Sequence, residues 1–152
     1  MSAKPELRLD AAAISTFLNE VFPGAMENFT IEDVQPMTAR IRMPFQPWRL
    51  RPGGTISGPS LMALADTGLW VALLAMIGPE ALSVTSHLDI DFLRKPAPVD
   101  VIAHTTLHNR QAPGRRRRAH VLRRRRHALR PVISHLRHPE LVQPVVLTRL
   151  TG

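Results

Sequence analysis

The chain has 152 residues, 44% of them hydrophobic, which suits one domain with its own core and is too short for two. It contains no cysteine, which excludes disulfides, thiolate metal sites and a cysteine nucleophile and agrees with a cytoplasmic location. The net charge of +8 would suit a nucleic-acid partner, but residues 1–109 hold 8 Lys+Arg against 11 Asp+Glu, whereas residues 110–152 hold 12 against 1.

The opening MSAKPELRLD lacks the basic head and apolar run of a signal peptide, so export is not expected. Asp10 is placed to cap a short helix, AAAISTFLNEVF, whose Ile14, Phe17, Leu18 and Val21 share one face. Pro23-Gly24 ends it. FTIEDVQ and MTARIRMPF follow as an antiparallel pair; in the second, Met37, Ala39, Ile41 and Met43 alternate with Thr38, Arg40 and Arg42. QPWRLRPGGTI is rich in Pro and Gly and reads as a loop.

The segment Ser57 to Ile77, SGPSLMALADTGLWVALLAMI, predicts one uninterrupted helix. Its apolar residues point in nearly every direction, so it is expected to be buried all round, which requires a sheet curled about it. Its single acid is Asp66. Gly78-Pro79 stops it, and its longest apolar run, Gly68 to Pro79, is too short to cross a bilayer. ALSVTSHLDIDFLR then alternates, with Leu82, Val84, Ser86, Leu88, Ile90 and Phe92 on one face and Ser83, Thr85, His87, Asp89 and Asp91 on the other. VDVIAHTTLH is a further strand beyond the turn at Lys95-Pro96-Ala97-Pro98. The order of elements gives an α+β domain with an antiparallel sheet over residues 1–110. Residues 111–152 contain two four-arginine blocks and no aromatic residue; such repulsion argues for a disordered tail.

At SGPSLMALADT and VTSHLDIDFLRKPAPVD the chain resembles the hotdog-fold acyl-CoA thioesterases of the PaaI-like group, from about residue 10 to 109. The family's His-Gly-Gly, followed after six residues by Ala-Asp, falls on Ser57-Gly58-Pro59 and Ala65-Asp66. The resemblance implies a long helix wrapped by a curved antiparallel sheet, assembled as a dimer or a dimer of dimers. It also implies catalysis by Asp66 as nucleophile or general base, with the Gly58 backbone N–H as oxyanion donor and Thr85 as the hydroxyl beside the acid or its water. No cofactor is implied beyond the CoA of the substrate.

Three departures from the family stand out: Ser57 replaces the histidine, Pro59 the second glycine, and Val99 a turn glycine before Asp100. Pro59 is compatible with a first helical turn, whose N–H groups have no partner to lose, and Ser57 can cap the helix but supplies no imidazole. Eight residues of helix span about 12 Å, whereas both Gly58 and Asp66 must reach one carbonyl. The site is therefore expected to pair Gly58 of one subunit with Asp66 of another across a two-fold axis. Ser57, Arg49, Arg51, Arg94 and Lys95 are the candidates for binding the substrate and its phosphates.

Shifting the frame by one base over Pro113 to His127 admits a sequence similar to the family's next strand, so a frame change near Gln111 is expected. As written, the sheet would lack its last two strands and leave VDVIAHTTLH as an unpaired edge. Asp89, Asp91, His87, His104 and His108 read as surface residues, and Trp48 and Trp70 as packing residues. The competing reading is a non-catalytic remnant or a basic-tailed module that binds nucleic acid non-specifically through Arg115 to Arg118 and Arg123 to Arg126. A hotdog dehydratase is disfavoured, because no Asp-His pair stands at the helix entrance.

Overall fold

A computed structural model describes residues 6–92 and 94–107 and three strand segments beyond them, 119–121, 132–137 and 145–149. The first helix, α1 (Ala11–Val21), starts where Asp10 accepts the Ala13 N–H at 2.8 Å, and it buries Ile14 and Leu18 completely. Val21, expected on the same face, is 43% exposed, because the last turn runs past the edge of the core. Strands β1 (Thr30–Gln35) and β2 (Thr38–Met43) form the expected antiparallel pair. Their two-residue turn places Met37 at φ 65°, the left-handed region that glycine or asparagine usually occupies. Two contacts hold that backbone: the Met37 N–H lies 3.2 Å from Met76 Sδ, and its carbonyl accepts the Leu107 N–H at 2.6 Å.

The stretch expected to be a loop holds a turn of 3-10 helix (Pro47–Arg49) and a small hairpin, β3 (Leu50–Arg51) with β4 (Thr55–Ile56). Gly53 and Gly54, at φ 95° and 67°, make the reversal between them. This hairpin delivers the chain to Ser57 at the start of the long helix α2 (Gly58–Ile77). Ser57 Oγ caps the helix by accepting the Ser60 N–H and pairs with Ser60 Oγ at 2.9 Å. Gly78, at φ 92°, closes it by donating its N–H to the Leu74 carbonyl at 2.9 Å.

By length and composition α2 could cross a bilayer, but it is the core helix. Leu64, Leu69 and Leu74 are fully buried, each contributing about 1.5–3 kcal/mol. Enclosure is complete only from Val71 to Ala75; earlier, Met62 is 41% exposed and Asp66 and Trp70 are half-buried, so the helix is not covered all round. It packs on β2 and on β6 (Val101–Thr106) most closely at Gly68, where a Cβ would lie 2.7 Å from Thr105 Oγ1 and 3.5 Å from the Ala103 Cβ.

Beyond α2, β5 covers only Val84–Leu88, and residues 89–92 and 94–100 run outside regular structure. Past residue 110, where no fold was expected, three segments pair: β7 (Ala119–Val121), β8 (Val132–Arg137) and β9 (Val145–Arg149). They complete two antiparallel sheets, ordered β1-β2-β6-β9 and β5-β8-β7, with β7 and β8 lying against β9 so that the two curve around α2. β6, expected to be an unpaired edge, is therefore bonded on both sides. The two arginine blocks lie outside the described residues, as does His108.

The sheet's outer face carries an ion cluster in which Arg42 bridges Glu32 of β1 and Asp100 before β6, with Nη1 3.0 Å from Asp100 Oδ2. The Phe45 N–H donates to Asp100 Oδ1 at 2.9 Å, and that bond, followed by Arg42, holds the carboxyl below the ordinary carboxylate range. His104, expected at the surface, is half-buried opposite Arg40; burial first and the Arg40 charge second disfavour its protonated form.

Replacing Gly68 by alanine should lower stability by about 1 kcal/mol or more, because overpacking against Thr105 outweighs the better helix propensity of alanine. A raised urea midpoint would refute the close packing. Asp100→Asn should cost about 0.5–1 kcal/mol at pH 7, as expected for a partly exposed, screened pair. Stabilisation by a depressed carboxylate is present above its unfolded value of about 3.9 and is lost as pH falls through the folded value. Wild type and variant should therefore converge in acid unfolding titrations, and a gap that is constant with pH would contradict this role.

Candidate active site

Two residues at 3.6 per turn put Asp66 about 200° around the helix from Gly68. With Gly68 against the sheet, Asp66 comes out on the other side, beneath β5. There the Thr85 hydroxyl donates a short hydrogen bond to Asp66 Oδ1, leaving Oδ2 without a partner among the described residues. The alternation puts Thr85 on one strand face with Asp89 and Asp91. Those two acids are exposed, whereas Thr85 turns its hydroxyl to the helix; of the residues assigned to the opposite face, Leu82 is 84% exposed, Val84 62% and Phe92 54%.

A cleft of about 350 Å³ opens beside the pair, walled by Trp70 and Leu73 of α2, Val84 of β5, and Phe22 after α1. It is mainly apolar, with one carboxylate, Asp66, and two hydroxyl residues, Ser83 and Thr85, in its lining, a composition suited to holding an acyl chain next to a reacting centre. Asp66, Trp70 and Leu73 follow at i, i+4 and i+7, so the helical wall was legible as one stripe. Phe22 and Ala81 had no signal, because their place in the cleft depends on how two loops fold back.

Gly58 sits at the opposite end of the stripe. As the first helical residue it carries an N–H that the helix does not use, beside the partial positive charge of the helix terminus. Its missing side chain faces Phe92, whose ring lies 3.4 Å from where a Cβ would stand. Gly58 and Asp66 are thus separated by about 12 Å of helix, and one chain does not bring them to a common atom. Asp66 and Thr85 do meet.

The basic candidates divide. Arg49 is 3% exposed, with Nη2 bonded to Asn28 Oδ1 at 3.0 Å, Nη1 3.1 Å from Met43 Sδ, and its guanidinium 4.2 Å over the Trp48 ring. Burial without an acid partner lowers its pKa. Arg49 therefore supports the fold from inside and is turned away from any external phosphate. Trp48, expected to pack in the core or at an interface, is 65% exposed in the single chain and stacks on the Arg49 guanidinium. Arg51, in the hairpin leading to Ser57, and Arg94 and Lys95, just beyond Phe92, are exposed. Arg51 lies seven residues before Gly58, and Arg94 and Lys95 follow Phe92, whose ring lies against Gly58. Ser57 is engaged in capping.

The thioesterase superfamily model matches residues 53–110. Among solved structures, a presumed thioesterase of Silicibacter sp. TM1040 is 40% identical over 68% of this chain and 73% of its own, with a TM-score of 0.62. PaaI of E. coli, from the phenylacetic acid degradation operon, is 21% identical over 67% of this chain and 75% of its own, at 0.50. A thioesterase of Haemophilus influenzae is 18% identical over 95% of each chain, at 0.57. The last two share the fold. A search of curated proteins finds no match.

Proposed function

We propose that this chain, which belongs to the thioesterase superfamily as a hotdog-fold protein, hydrolyses an acyl-CoA thioester at a site shared by two subunits. The observation that carries the reading is the Thr85–Asp66 hydrogen bond at the end of an apolar cleft. With Oδ1 held by Thr85, Oδ2 is left to take a proton from water as that water attacks the thioester carbon. The carbonyl oxygen becomes an oxyanion, and a helix-terminal N–H is the donor that stabilises it. Collapse breaks the C–S bond, and the proton passes to the departing sulfur, giving a carboxylic acid and free CoA.

The donor is assigned to Gly58 of the partner subunit. Supporting this are the 12 Å or so between the two groups within one helix and the exposed apolar residues near them: Met62 on α2 at 41%, Phe92 against Gly58 at 54% and Val84 in the cleft wall at 62%. Patches of this kind mark association surfaces. Arg51, Arg94 and Lys95 follow the Gly58 end, where the CoA phosphates require cations.

Asp66→Asn should reduce CoA release from acyl-CoA substrates by a hundredfold or more, about 2.7 kcal/mol in the barrier, and Thr85→Val by about tenfold in kcat with little change in KM. A thiol-release assay that finds the two variants at wild-type rates would reject the mechanism, and wild-type protein that releases no CoA would reject the activity. The shared site has its own test. Gly58→Pro removes the N–H, and Ser57, at φ −69° and ψ 150°, already has the conformation a following proline requires. Mixing Gly58→Pro and Asp66→Asn proteins with subunit exchange should restore about a quarter of wild-type activity, since half the dimers regain one intact site of two. No recovery in dimers shown to have exchanged would place both groups in one chain.

A further inference from the structure

We infer that Arg49 is a positioning residue for the oxyanion donor, setting the place of the Gly58 N–H through the backbone carbonyl that holds Ser57. The inference rests on the thioesterase reading above and deepens it, naming what aims one end of the shared site. Arg49 Nη2 donates to Asn28 Oδ1 at 3.0 Å and lies 3.4 Å from the Asn28 carbonyl, and Nη1 lies 3.1 Å from Met43 Sδ. Asn28 stands just before β1 and Met43 closes β2, at the end of the pair where Thr30 lies opposite Arg42. The guanidinium is thereby fastened to one end of the sheet. The carbonyl of the same residue accepts the Ser57 N–H at 2.8 Å. Ser57 caps α2, and the residue after it is Gly58.

The hairpin between Arg49 and Ser57 has little stiffness of its own. β3 and β4 pair only Leu50 with Ile56 and Arg51 with Thr55, and the reversal runs through Gly53 and Gly54 at positive φ. Ile56 is buried and anchors the hairpin by apolar contact, but that force has no direction. Direction comes from the guanidinium and its fixed fork of donors. Its placement is costly for a residue that serves stability alone: Arg49 is buried, makes no salt bridge among the described residues, and has no partner for Nε among them. An apolar side chain of similar size avoids that desolvation. What it lacks is the aim. A displacement of about 1 Å in groups that position a reacting centre costs up to about a hundredfold in rate, so a loosened Ser57 should be visible in turnover.

Two readouts separate aim from stability. Hydrogen exchange is followed at the Ser57 amide, which bonds to the Arg49 carbonyl, and at the amide of Leu74, fully buried in the same helix. In Arg49→Met, and to a smaller degree in Asn28→Ala, exchange at Ser57 should rise by about tenfold relative to Leu74, whereas a general loss of stability raises Leu74 at least as much. Turnover is measured with the fastest of acetyl-, hexanoyl-, decanoyl- and benzoyl-CoA, under conditions where circular dichroism shows each variant folded. For Arg49→Met, kcat should fall about tenfold with KM within about twofold of wild type, as for an interaction made in the transition state. Asn28→Asp keeps an acceptor oxygen and should keep both the Ser57 protection and the rate. Unchanged protection of Ser57, a loosened Ser57 with wild-type kcat, or loss of rate in Asn28→Asp overturns the positioning role and leaves the thioesterase reading standing. If Arg49→Met does not fold, Asn28→Ala decides on the same two readouts. Wild-type protein that releases CoA from none of the four compounds overturns the thioesterase reading and the positioning role with it.

Discussion

The structure depends on how closely α2 lies against the sheet. At Gly68 no side chain separates the helix backbone from β6, and Thr105 and Ala103 fill the space a Cβ would take. That contact fixes the helix in depth and in rotation together. Once Gly68 faces inward, Asp66 faces outward on the other flank, and Thr85 meets it. A packing constraint thereby decides where the carboxylate stands.

Charge is arranged on the same plan. On the outer face of the sheet, Glu32, Arg42 and Asp100 tie β1, β2 and the entry to β6 together and also take the Phe45 N–H. Inside, Arg49 is held by neutral partners, the Asn28 amide oxygen, the Met43 sulfur and the Trp48 ring face. Neither group shares a contact with Asp66 among the described residues. Among the described residues, Oδ2 of that carboxylate has no partner, and the framework's charges are satisfied elsewhere.

The eight-residue separation of Gly58 and Asp66 on α2 is the reason a second copy is proposed. Gly58 offers an unused N–H, and Asp66 offers a base, but a rigid helix holds them apart. Between them Met62 is 41% exposed, and Phe92, against Gly58, is 54% exposed. An antiparallel second helix would bring each end opposite its complement and cover that surface in the same step.

Much of this was legible in the residues. The β1–β2 alternation, the Asp10 and Ser57 caps, the stop at Gly78 and the lone acid in an apolar helix are local patterns, set by side-chain period and backbone conformation. The family motif at Gly58 and Asp66 was legible too. The place of Thr85 beside the acid was legible only through the family resemblance, since alternation tells which residues share a face but not which face meets the helix. Arg49 looked like an external phosphate ligand because its charge is visible in sequence and its burial is not. The pairing of β7, β8 and β9 was missed because arginine blocks dominate that composition, whereas strand pairing follows from backbone bonds to β5 and β6. The sequence by itself thus determined the helix, its caps and the acid it carries. Which way that acid faces was decided only by the tertiary structure, because it depends on where the missing side chain of Gly68 lets the sheet approach.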